Sequence, residues 1–381
     1  MNKIIYESLI QGLKAVATIE EQIKELEEQI ANTKYNKATE GHIGKLKAKI
    51  AKLTAEDEKR KSSKGSTKGF YVKKAGNATV ALVGFPSVGK STLLNQLTDA
   101  KSEVGSYHFT TLDVVPGVME YKHAKIQILD MPGLIKDASR GKGRGREVIA
   151  AARAADVILL VVDIFNPNMD VLLRELYNAA IRLDQTKPDV VITNTGQGGV
   201  LVKPTIPLTK ITVETIKDMT VAYGHINAVV VVREDINVEQ MLDVLAGNRV
   251  YIKAVMGINK IDLATPGQLE AVQKMHRDFI TVPVSAAKGV GMEDLKQTLY
   301  DTIEMIRIYL KPQGQEADMV EPLIVKKGNT VGEVCEVIHR DFKNNFRYAM
   351  VWGNSAKFPG QTVGLDHVVH DEDVLSIIVK R

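Results

Sequence analysis

Helical periodicity dominates the beginning of the chain. Apolar residues recur three to four positions apart, as in an amphipathic helix, at Ile4, Ile5, Leu9, Leu13, Ile19, Ile23, Leu26 and Ile30. A turn is predicted around residues 32–44, so we expect residues 1–60 to form a basic helical region that folds as an antiparallel hairpin. Residues 61–76 begin with KSSKGSTKG, a composition typical of a linker.

From Ala78 onward, short hydrophobic runs alternate with helical stretches. The runs are ATVALVG (78–84), KIQILDMPG (125–133), ADVILLVVDI (155–164), VYIKAVMGINKID (250–262) and FITVPVSA (279–286). Buried strands that alternate with helices are typical of an α/β fold with a doubly wound, mostly parallel sheet. We assign residues 77–164 and 248–310 to this sheet domain and predict an inserted small α/β subdomain over residues 165–247.

A compact α+β module is predicted at the end of the chain, over residues 317–381. It follows a helix predicted over residues 292–310 and a second linker, KPQGQEAD (311–318). Within the module, Thr330 and Glu333 match a capping box that opens the helix VGEVCEVIH. Its strands are predicted at PLIVKK, RYAMVWG and VLSIIVKR.

Length and composition restrict the class of protein. The 381 residues correspond to two or three domains, and 44% hydrophobic with 25% charged residues is a globular composition. The longest apolar stretch, Val157–Val162, is far shorter than the roughly 18–20 residues that span a bilayer, so no membrane partner is expected. The single cysteine, Cys335, excludes an intramolecular disulfide framework and a multi-thiolate zinc site. We therefore expect a cytoplasmic protein.

Positive charge is concentrated near the beginning of the chain. The net charge is +4, but residues 1–76 carry 16 Lys and Arg against 10 Asp and Glu, and residues 42–74 carry 11 against 3. Such asymmetry suggests a polyanionic partner. Lys45, Lys49 and Lys52 lie at helical spacing and are the candidate contacts for structured RNA. The alternative is a solvated helix face or a surface that docks on an acidic protein.

A phosphate-binding loop is the strongest chemical signal. GFPSVGKS at residues 84–91 matches G-x-x-x-x-G-K-[S/T] between a predicted strand and a predicted helix. Backbone N–H groups of such a loop, with the positive end of the helix, bind phosphate oxygens. Lys90 is expected to contact the β- and γ-phosphates, and the Ser91 hydroxyl to ligate Mg²⁺. The predicted nucleotide contacts are Gly84, Phe85, Pro86, Ser87, Val88, Gly89, Lys90, Ser91 and Thr92.

Two further segments are predicted to sense the γ-phosphate. Asp130 in DMPG (130–133) follows a strand and can hold Mg²⁺ through water, while the Gly133 N–H can contact the γ-phosphate. The segment YHFTTLDVVPG (107–117) contains Phe109, Thr110 and Thr111. One threonine is expected to close over Mg²⁺ and the γ-phosphate, and the residues themselves leave the choice between Thr110 and Thr111 open.

The base is predicted to be guanine. In NKID (259–262), which comprises Asn259, Lys260 and Asp262, the aspartate carboxylate can accept two parallel hydrogen bonds from the N1–H and exocyclic amine of guanine. Adenine has no such pair of donors and would leave the acid unsatisfied. Ser285, Ala286 and Ala287 of SAAKG (285–289) follow the next strand, where a backbone N–H can meet the guanine O6. Four motifs at successive strand ends thus indicate a site for GTP and GDP.

With these motifs, the whole chain resembles the developmentally regulated GTP-binding proteins, within the Obg-like group of GTPases. The resemblance rests on GFPSVGKS, FTTLD, DMPGLI followed by GKGRGRE, NKID and the C-terminal module. It implies a P-loop GTPase domain, with a β-grasp (TGS) domain over residues 317–381. It also implies slow hydrolysis of GTP to GDP and phosphate, by a switch that engages the ribosome or translation apparatus.

The resemblance also implies roles for single residues. Thr111 becomes the threonine that binds Mg²⁺, and Lys90, Thr111 and Gly133 act in catalysis. Leu134 stands where Ras-type enzymes have a glutamine that orients water, a hydrophobic replacement that the Obg-like group shares. Many relatives have asparagine at the position of Ser87, where it helps to bind K⁺; serine departs from that pattern and leaves K⁺ as an open second cofactor.

Several alternatives stay open beside this interpretation. Arg140, Lys142, Arg144 and Arg146 could supply transition-state charge, although a basic switch loop is the simpler interpretation. A P-loop enzyme that phosphorylates a small molecule has no separate substrate motif in its favour. An adenine-nucleotide-using TGS relative conflicts with NKID, and an RNA-binding scaffold with negligible turnover is a further alternative. A regulatory protein cofactor is another candidate partner.

Overall fold

The computed structural model describes residues 18–34, 36–37, 39–63, 76–98, 115–131 and 145–380. Its strands, numbered along the chain, are β1 (Ala78–Gly84), β2 (Val115–Tyr121), β3 (Ala124–Asp130), β4 (Val157–Asp163), β5 (Ile181–Leu183), β6 (Val190–Asn194), β7 (Val200–Pro204), β8 (Ala228–Val232), β9 (Val250–Asn259), β10 (Ile280–Pro283), β11 (Met305–Leu310), β12 (Leu323–Lys326), β13 (Phe346–Trp352), β14 (Gln361–Val363) and β15 (Asp373–Val379).

Helices connect most of these strands. They are α1 (Ile19–Asn32), α2 (Glu40–Ser63), α3 (Lys90–Leu97), α4 (Gly145–Ala154), α5 (Asp170–Asn178), α6 (Val213–Tyr223), α7 (Val238–Ala246), α8 (Pro266–Met275), α9 (Met292–Ile303), α10 (Val331–Ile338) and α11 (Arg340–Asn344). A short 3₁₀ turn spans Ile261–Leu263. The chain divides into two compact units, a smaller one within residues 1–69 and 186–249 and a larger one within residues 70–185 and 250–381.

The larger unit contains the predicted parallel sheet. Its strand order is β10-β9-β4-β1-β3-β2. The short strand β5 pairs with the first three residues of β9, 250–252. Strand β2 is antiparallel to β3, and all other neighbouring strands are parallel. All seven residues of β1 are buried, because alternate side chains enter two different cores. Val80 and Leu82 pack on one face of the sheet, and Ala81 and Val83 pack on the other. The sheet is therefore covered on both faces, and its strand ends carry the predicted motifs.

The inserted part is shorter than the sequence analysis predicts. The prediction began it at residue 165, but α5 and β5 belong to the larger unit. Leu172 and Leu176 of α5 are buried in the same core as Ile181 of β5, which pairs with Val250 of β9. Hydrophobic burial therefore holds residues 165–185 on the sheet, and the inserted segment runs over residues 186–249.

The smaller unit combines the inserted segment with the N-terminal helices. In its three-stranded sheet, β8 lies between β6, to which it is antiparallel, and β7, to which it is parallel. Ala48 of α2 is fully buried in one core with Ile216 and Met219 of α6 and Val230 of β8. The sequence analysis treated residues 1–60 as a separate region. The small side chain of Ala48 and the close approach of Gly44 to Met219 instead allow α2 to pack on α6.

The C-terminal module has a five-stranded sheet in the order β12-β11-β15-β13-β14. Its first strand, β11, corrects two predictions, because the sequence analysis continued a helix to Leu310 and began the module at residue 317. Helix α9 ends at Ile303, Glu304 adopts a left-handed conformation with φ of 57°, and Ile306 and Ile308 enter the module core. The predicted capping box of Thr330 and Glu333 is confirmed at the start of α10.

Candidate functional site

The phosphate-binding loop joins β1 to α3, as predicted. Gly84 lies close to the neighbouring strand β4, because a Cβ at this position would come within 2.5 Å of the Val161 carbonyl oxygen. Gly89 precedes α3 with φ of 94°, and no side chain caps the helix there. Ser87 also has a positive φ, of 64°. The loop is therefore tightly curled. No capping side chain occupies the backbone N–H groups at the start of α3, so these groups can bind an anion.

Lys90 folds back over the loop that precedes it. Its ammonium donates hydrogen bonds to the carbonyl oxygens of Gly84, at 3.0 Å, and Phe85, at 3.1 Å. Partial burial lowers the pKa of Lys90, and the charge of Asp130 opposes this shift. The ammonium is thus held inside the concave loop, where a charge-assisted contact with phosphate oxygens would be strong.

Ser91 and Asp130, two of the three residues predicted to hold Mg²⁺, lie side by side. The Ser91 hydroxyl donates to Asp130 Oδ2 at 3.1 Å. Asp130 is 8% exposed, and its other carboxylate oxygen, Oδ1, is buried with no hydrogen-bond partner in the described part of the chain. A buried carboxylate oxygen beside a hydroxyl is a suitable set of hard ligands for Mg²⁺, directly or through water. The residues present therefore fit this cation.

Asn259 connects the two predicted base-reading loops, NKID (259–262) and SAAKG (285–289), to the phosphate-binding loop. Its side-chain amide donates from Nδ2 to the Val88 carbonyl oxygen at 2.7 Å. Its Oδ1 accepts the backbone N–H of Lys260 at 2.8 Å and that of Ala286 at 3.0 Å. Asn259 is 3% exposed, so these bonds satisfy a buried amide that would otherwise be costly. One side chain thus sets the spacing of three loops.

The Asp262 carboxyl group is held in its ionised form, in which it is a hydrogen-bond acceptor. The Ser285 hydroxyl donates to Asp262 Oδ1 at 2.7 Å, and the Lys288 ammonium lies 3.5 Å from Oδ2. The hydrogen bond from Ser285 is the main reason that the pKa of Asp262 lies below its ordinary value of 3.8; Lys288 adds to the shift. The predicted pair of hydrogen bonds from guanine needs a carboxylate that is charged at neutral pH, and Asp262 meets that condition.

Two residues near the base-reading loops were missed by the sequence analysis. Lys288 lies within SAAKG but was not assigned a role. Asp163 ends β4, and its Oδ2 lies 2.6 Å from the Lys260 ammonium. The signal for Asp163 was present in the sequence, because it is an acid at the carboxyl end of a buried parallel strand, where ligands bind in open α/β sheets.

The remaining predicted nucleotide-site residues lie either outside the described residues or at positions whose role the structure leaves as a prediction. Phe109, Thr110, Thr111, Gly133 and Leu134, with Arg140, Lys142 and Arg144, lie outside the described residues, as does the side chain of Arg146. Pro86, within the phosphate-binding loop, and Thr92, directly after it, are exposed, and Ala287 follows Ala286 in the loop after β10. These positions are compatible with nucleotide contacts and stay predictions.

The three candidate RNA contacts on α2 differ in their surroundings. Lys45 forms an ion pair with Asp218 of α6 at 2.8 Å. Lys49 is exposed, whereas Lys52 is half-buried, with its ammonium beside Gly224 at the end of α6. Within the described helices, no segment is long and apolar enough to cross a membrane.

Comparison with protein families agrees with this geometry. The family described as 50S ribosome-binding GTPase matches residues 79–195, the C-terminal region of the MMR_HSR1 domain matches residues 197–305, and the TGS domain matches residues 306–379. Fold and site together define a GTP-binding protein with a P-loop GTPase domain and a C-terminal TGS domain. The TGS match begins within β11, which agrees with the boundary that the structure shows.

The chain belongs to the family of developmentally regulated GTP-binding proteins. It is 43% identical over 365 residues to developmentally-regulated GTP-binding protein 2 of Homo sapiens, covering 94% of this chain and 99% of the relative. It is 55% identical over 369 residues to an uncharacterized GTP-binding protein of Methanocaldococcus jannaschii, covering 96% and 94%. A solved structure of a GTP binding protein from Pyrococcus horikoshii OT3 is 16% identical, covers 79% of this chain and 100% of that one, and has a TM-score of 0.46.

Proposed function

We propose that the protein hydrolyses GTP to GDP and phosphate with Mg²⁺ as cofactor. The observation that supports this most directly is the cluster of Lys90, Ser91 and Asp130 at the start of α3, with a buried Asp130 oxygen that lacks a partner among the described residues. Such a cluster is suited to the charge of a triphosphate and its cation. Phe109, Thr110, Thr111 and Gly133 complete the proposed nucleotide site.

In the proposed reaction, a water oxygen bonds to the γ-phosphorus while the bond from that phosphorus to the β–γ bridging oxygen breaks. One water proton stays on the attacking oxygen and the other passes to a γ-phosphate oxygen, so that GDP and phosphate are released. The Lys90 ammonium stabilises charge on the β- and γ-phosphate oxygens. Thr111 and Gly133 contact the γ-phosphate, and the cation is held by Ser91 and Thr111 and, through water, by Asp130. When bound, Mg²⁺ neutralises charge that develops on the phosphate oxygens.

Slow turnover is part of the proposal. Leu134 replaces the glutamine that orients water in Ras-type enzymes, and a leucine side chain has no hydrogen-bonding group to take over that task. K⁺ is a second cation to be tested, since Ser87 rather than asparagine stands at the position where many relatives help to bind it. A nucleotide-regulated RNA-binding scaffold with negligible turnover is the second candidate, and the same leucine favours it.

We further propose that the nucleotide controls engagement of the ribosome or translation apparatus in the cytoplasm. Two features support this: the matching GTPase family is described as 50S ribosome-binding, and positive charge is concentrated over residues 42–74. Structured RNA would be the contact, because neutralised phosphates release counterions on binding. A regulatory protein cofactor remains a further proposed partner.

Two measurements test these proposals on the full chain. The first measurement is phosphate release from GTP, in the presence of Mg²⁺ or EDTA and in K⁺ or Na⁺ buffer. ATP replaces GTP as the control for the base, and Lys90→Ala is the control for the active site. We expect slow release from GTP only, dependent on Mg²⁺ and Lys90. Release that is equal in Lys90→Ala would contradict the proposed site. Binding of GTP without release would favour the scaffold, and ribosome co-sedimentation that is equal with GTP and GDP would contradict the switch.

A further inference from the structure

Asp163 occupies a junction between the two halves of the nucleotide site. It ends β4, which lies between β9, the strand that leads into the base-reading loop, and β1, the strand that leads into the phosphate-binding loop. In the parallel register, Asp163 is the partner of Asn259. Two residues earlier, Val161 is the partner of Gly84. The aspartate is therefore placed by two strand pairings at the edge where nucleotides bind in such sheets.

The two carboxylate oxygens of Asp163 have different partners. Oδ1 accepts the backbone N–H of Phe165 at 3.0 Å, which fixes the side chain against its own loop. Oδ2 lies 2.6 Å from the Lys260 ammonium, and the side chains are 16% and 35% exposed. A carboxylate held by a backbone N–H loses little further freedom when it binds a lysine. This ion pair is therefore expected to be more stabilising than an ion pair between two long exposed side chains.

Lys260 needs such support because of its backbone. It has φ of 67°, a left-handed conformation that residues other than glycine adopt rarely and that persists where surrounding contacts hold it. The Asn259 side chain holds the Lys260 N–H, and Asp163 holds the ammonium. The direction of the chain at this residue sets the start of the 3₁₀ turn that carries Asp262.

We propose that Asp163 is a positioning residue for guanine nucleotide binding, which acts by holding Lys260 so that Asp262 faces the base. The inference rests on the guanine-nucleotide site proposed above and goes beyond it, because Asp163 lies outside every motif that the sequence analysis used. Loss of the pair is expected to weaken GDP and GTP equally, since it changes the base side of the site and leaves Lys90, Ser91 and Asp130 unchanged.

The same strand supplies a matched control. Asp156 directly precedes β4 at its other end; one of its oxygens accepts the Thr79 N–H at 3.0 Å, and the other lies 2.8 Å from the Lys326 ammonium. Asp163→Asn and Asp156→Asn therefore remove the same charge from two similar arrangements at opposite ends of one strand. In both variants the amide oxygen can still accept the backbone N–H, so the local turn is retained.

The test measures dissociation constants and dissociation rates of fluorescent GDP and a non-hydrolysable GTP analogue on the full chain. We expect Asp163→Asn to weaken both nucleotides about tenfold, mainly through faster dissociation, and Asp156→Asn to change them less than about twofold. When Asp163→Asn is added to a Lys260→Met variant, the dissociation constants should rise by less than a further factor of about two, because the ammonium that Asp163 holds is already absent.

Three outcomes would overturn the inference. One is equal affinity in Asp163→Asn and Asp156→Asn while thermal unfolding shows both variants folded. Another is a full additional loss when Asp163→Asn is combined with Lys260→Met, which would mean that Asp163 acts by another route. Failure of the unchanged protein to bind GDP or GTP would overturn the guanine-nucleotide site itself, and so is distinguishable from the other two.

Discussion

Gly89 and Asn259 approach so closely that a Cβ on Gly89 would overlap the side-chain amide nitrogen of Asn259. The same amide donates to the Val88 carbonyl oxygen at 2.7 Å. The last glycine of the phosphate-binding loop and the first residue of NKID are thus fitted to each other. A side chain added at Gly89 is therefore expected to displace Asn259.

Gly89→Ala is expected to weaken guanine nucleotide binding by roughly tenfold or more, because a left-handed alanine is disfavoured by about 1–2 kcal/mol and its methyl group would displace Asn259. Gly328→Ala is the matched control. Its φ of 87° gives similar backbone strain, but nothing lies within 4 Å of the new methyl group. Nucleotide titration by calorimetry measures the difference, and equal affinities in the two variants would contradict the contact.

Asp262→Asn is expected to weaken GTP binding by roughly a hundredfold or more, because the amide cannot accept both hydrogen bonds from guanine. Affinity for xanthosine triphosphate should rise, since its C2 carbonyl can accept from the new amide. Asp278→Asn, at an exposed position beyond α8, removes the same charge away from the site. Competition titrations measure the preference, and unchanged affinities for both bases would mean that NKID does not read the base.

The pH dependence of guanine binding should follow the Ser285–Asp262 hydrogen bond. The pKa of Asp262 is lowered, so the charged carboxylate and its stabilising hydrogen bond are present above the ordinary pKa and are lost as pH falls through the lower, folded-state pKa. From Asp262 alone we expect no loss between pH 8 and pH 5. Ser285→Ala should move the acid limb to higher pH, and titrations of GDP binding against pH measure it; coincident profiles would contradict the assignment.

Lys90→Ala and Ser91→Ala are each expected to reduce GTP hydrolysis by a factor of roughly 10² or more, because each removes stabilisation of charge on the transferring phosphoryl group. Leu134→Ala should change the rate much less, since leucine cannot position water. Single-turnover phosphate release measures all three. Complete loss of hydrolysis in Leu134→Ala with GTP still bound would give that side chain a role that the proposal denies it.

Lys49→Glu is expected to weaken ribosome or RNA association and to reduce the salt slope by about one, while GTP affinity is retained. Lys49 is preferred to Lys45 because reversal at Lys45 would also break its ion pair with Asp218. Lys274→Glu, at an exposed position on α8, makes the same charge change on the larger unit. Co-sedimentation over a salt series measures the effect, and equal association of the two variants would leave α2 as a protein-docking element.

The structure also shows why truncation is a poor test of the RNA proposal. Deletion of residues 1–60 would remove Ala48, which is fully buried with Met219 in the core of the smaller unit. Lost binding could then reflect an unfolded unit rather than lost charge. A charge change at the exposed Lys49 avoids this ambiguity.

Features that depend on neighbouring residues in the chain were predictable from the sequence. The strand over residues 78–84 is confirmed at both ends, because a short run that contains the β-branched residues Thr79, Val80 and Val83 stops at the glycine that starts the phosphate-binding loop. The capping box is confirmed for a similar reason, since Thr330 and Glu333 need only each other. The base-reading and phosphate-binding motifs were found because each follows a strand, and parallel strands end at one edge of a sheet.

Features that depend on distant partners were not predictable. The sequence predicts a helical region over residues 1–60, but not that Ala48 would meet Met219, 171 positions further along the chain. MIRIYL (305–310) resembles a continuation of the helix before it until β12 and β15 provide hydrogen-bond partners. Asp163 was missed because its significance depends on the position of Lys260, in the loop after β9.

The position of β11 changes what a cut in the chain would do. Residues 311–318 look like a junction between domains, but they connect two strands of one sheet, since β11 pairs with both β12 and β15. A protease that cleaved there would leave two fragments that stay associated through these strands and separate only on denaturation. A fragment begun at residue 317 would lack Ile306 and Ile308, which its core requires, and would carry an open sheet edge that invites aggregation.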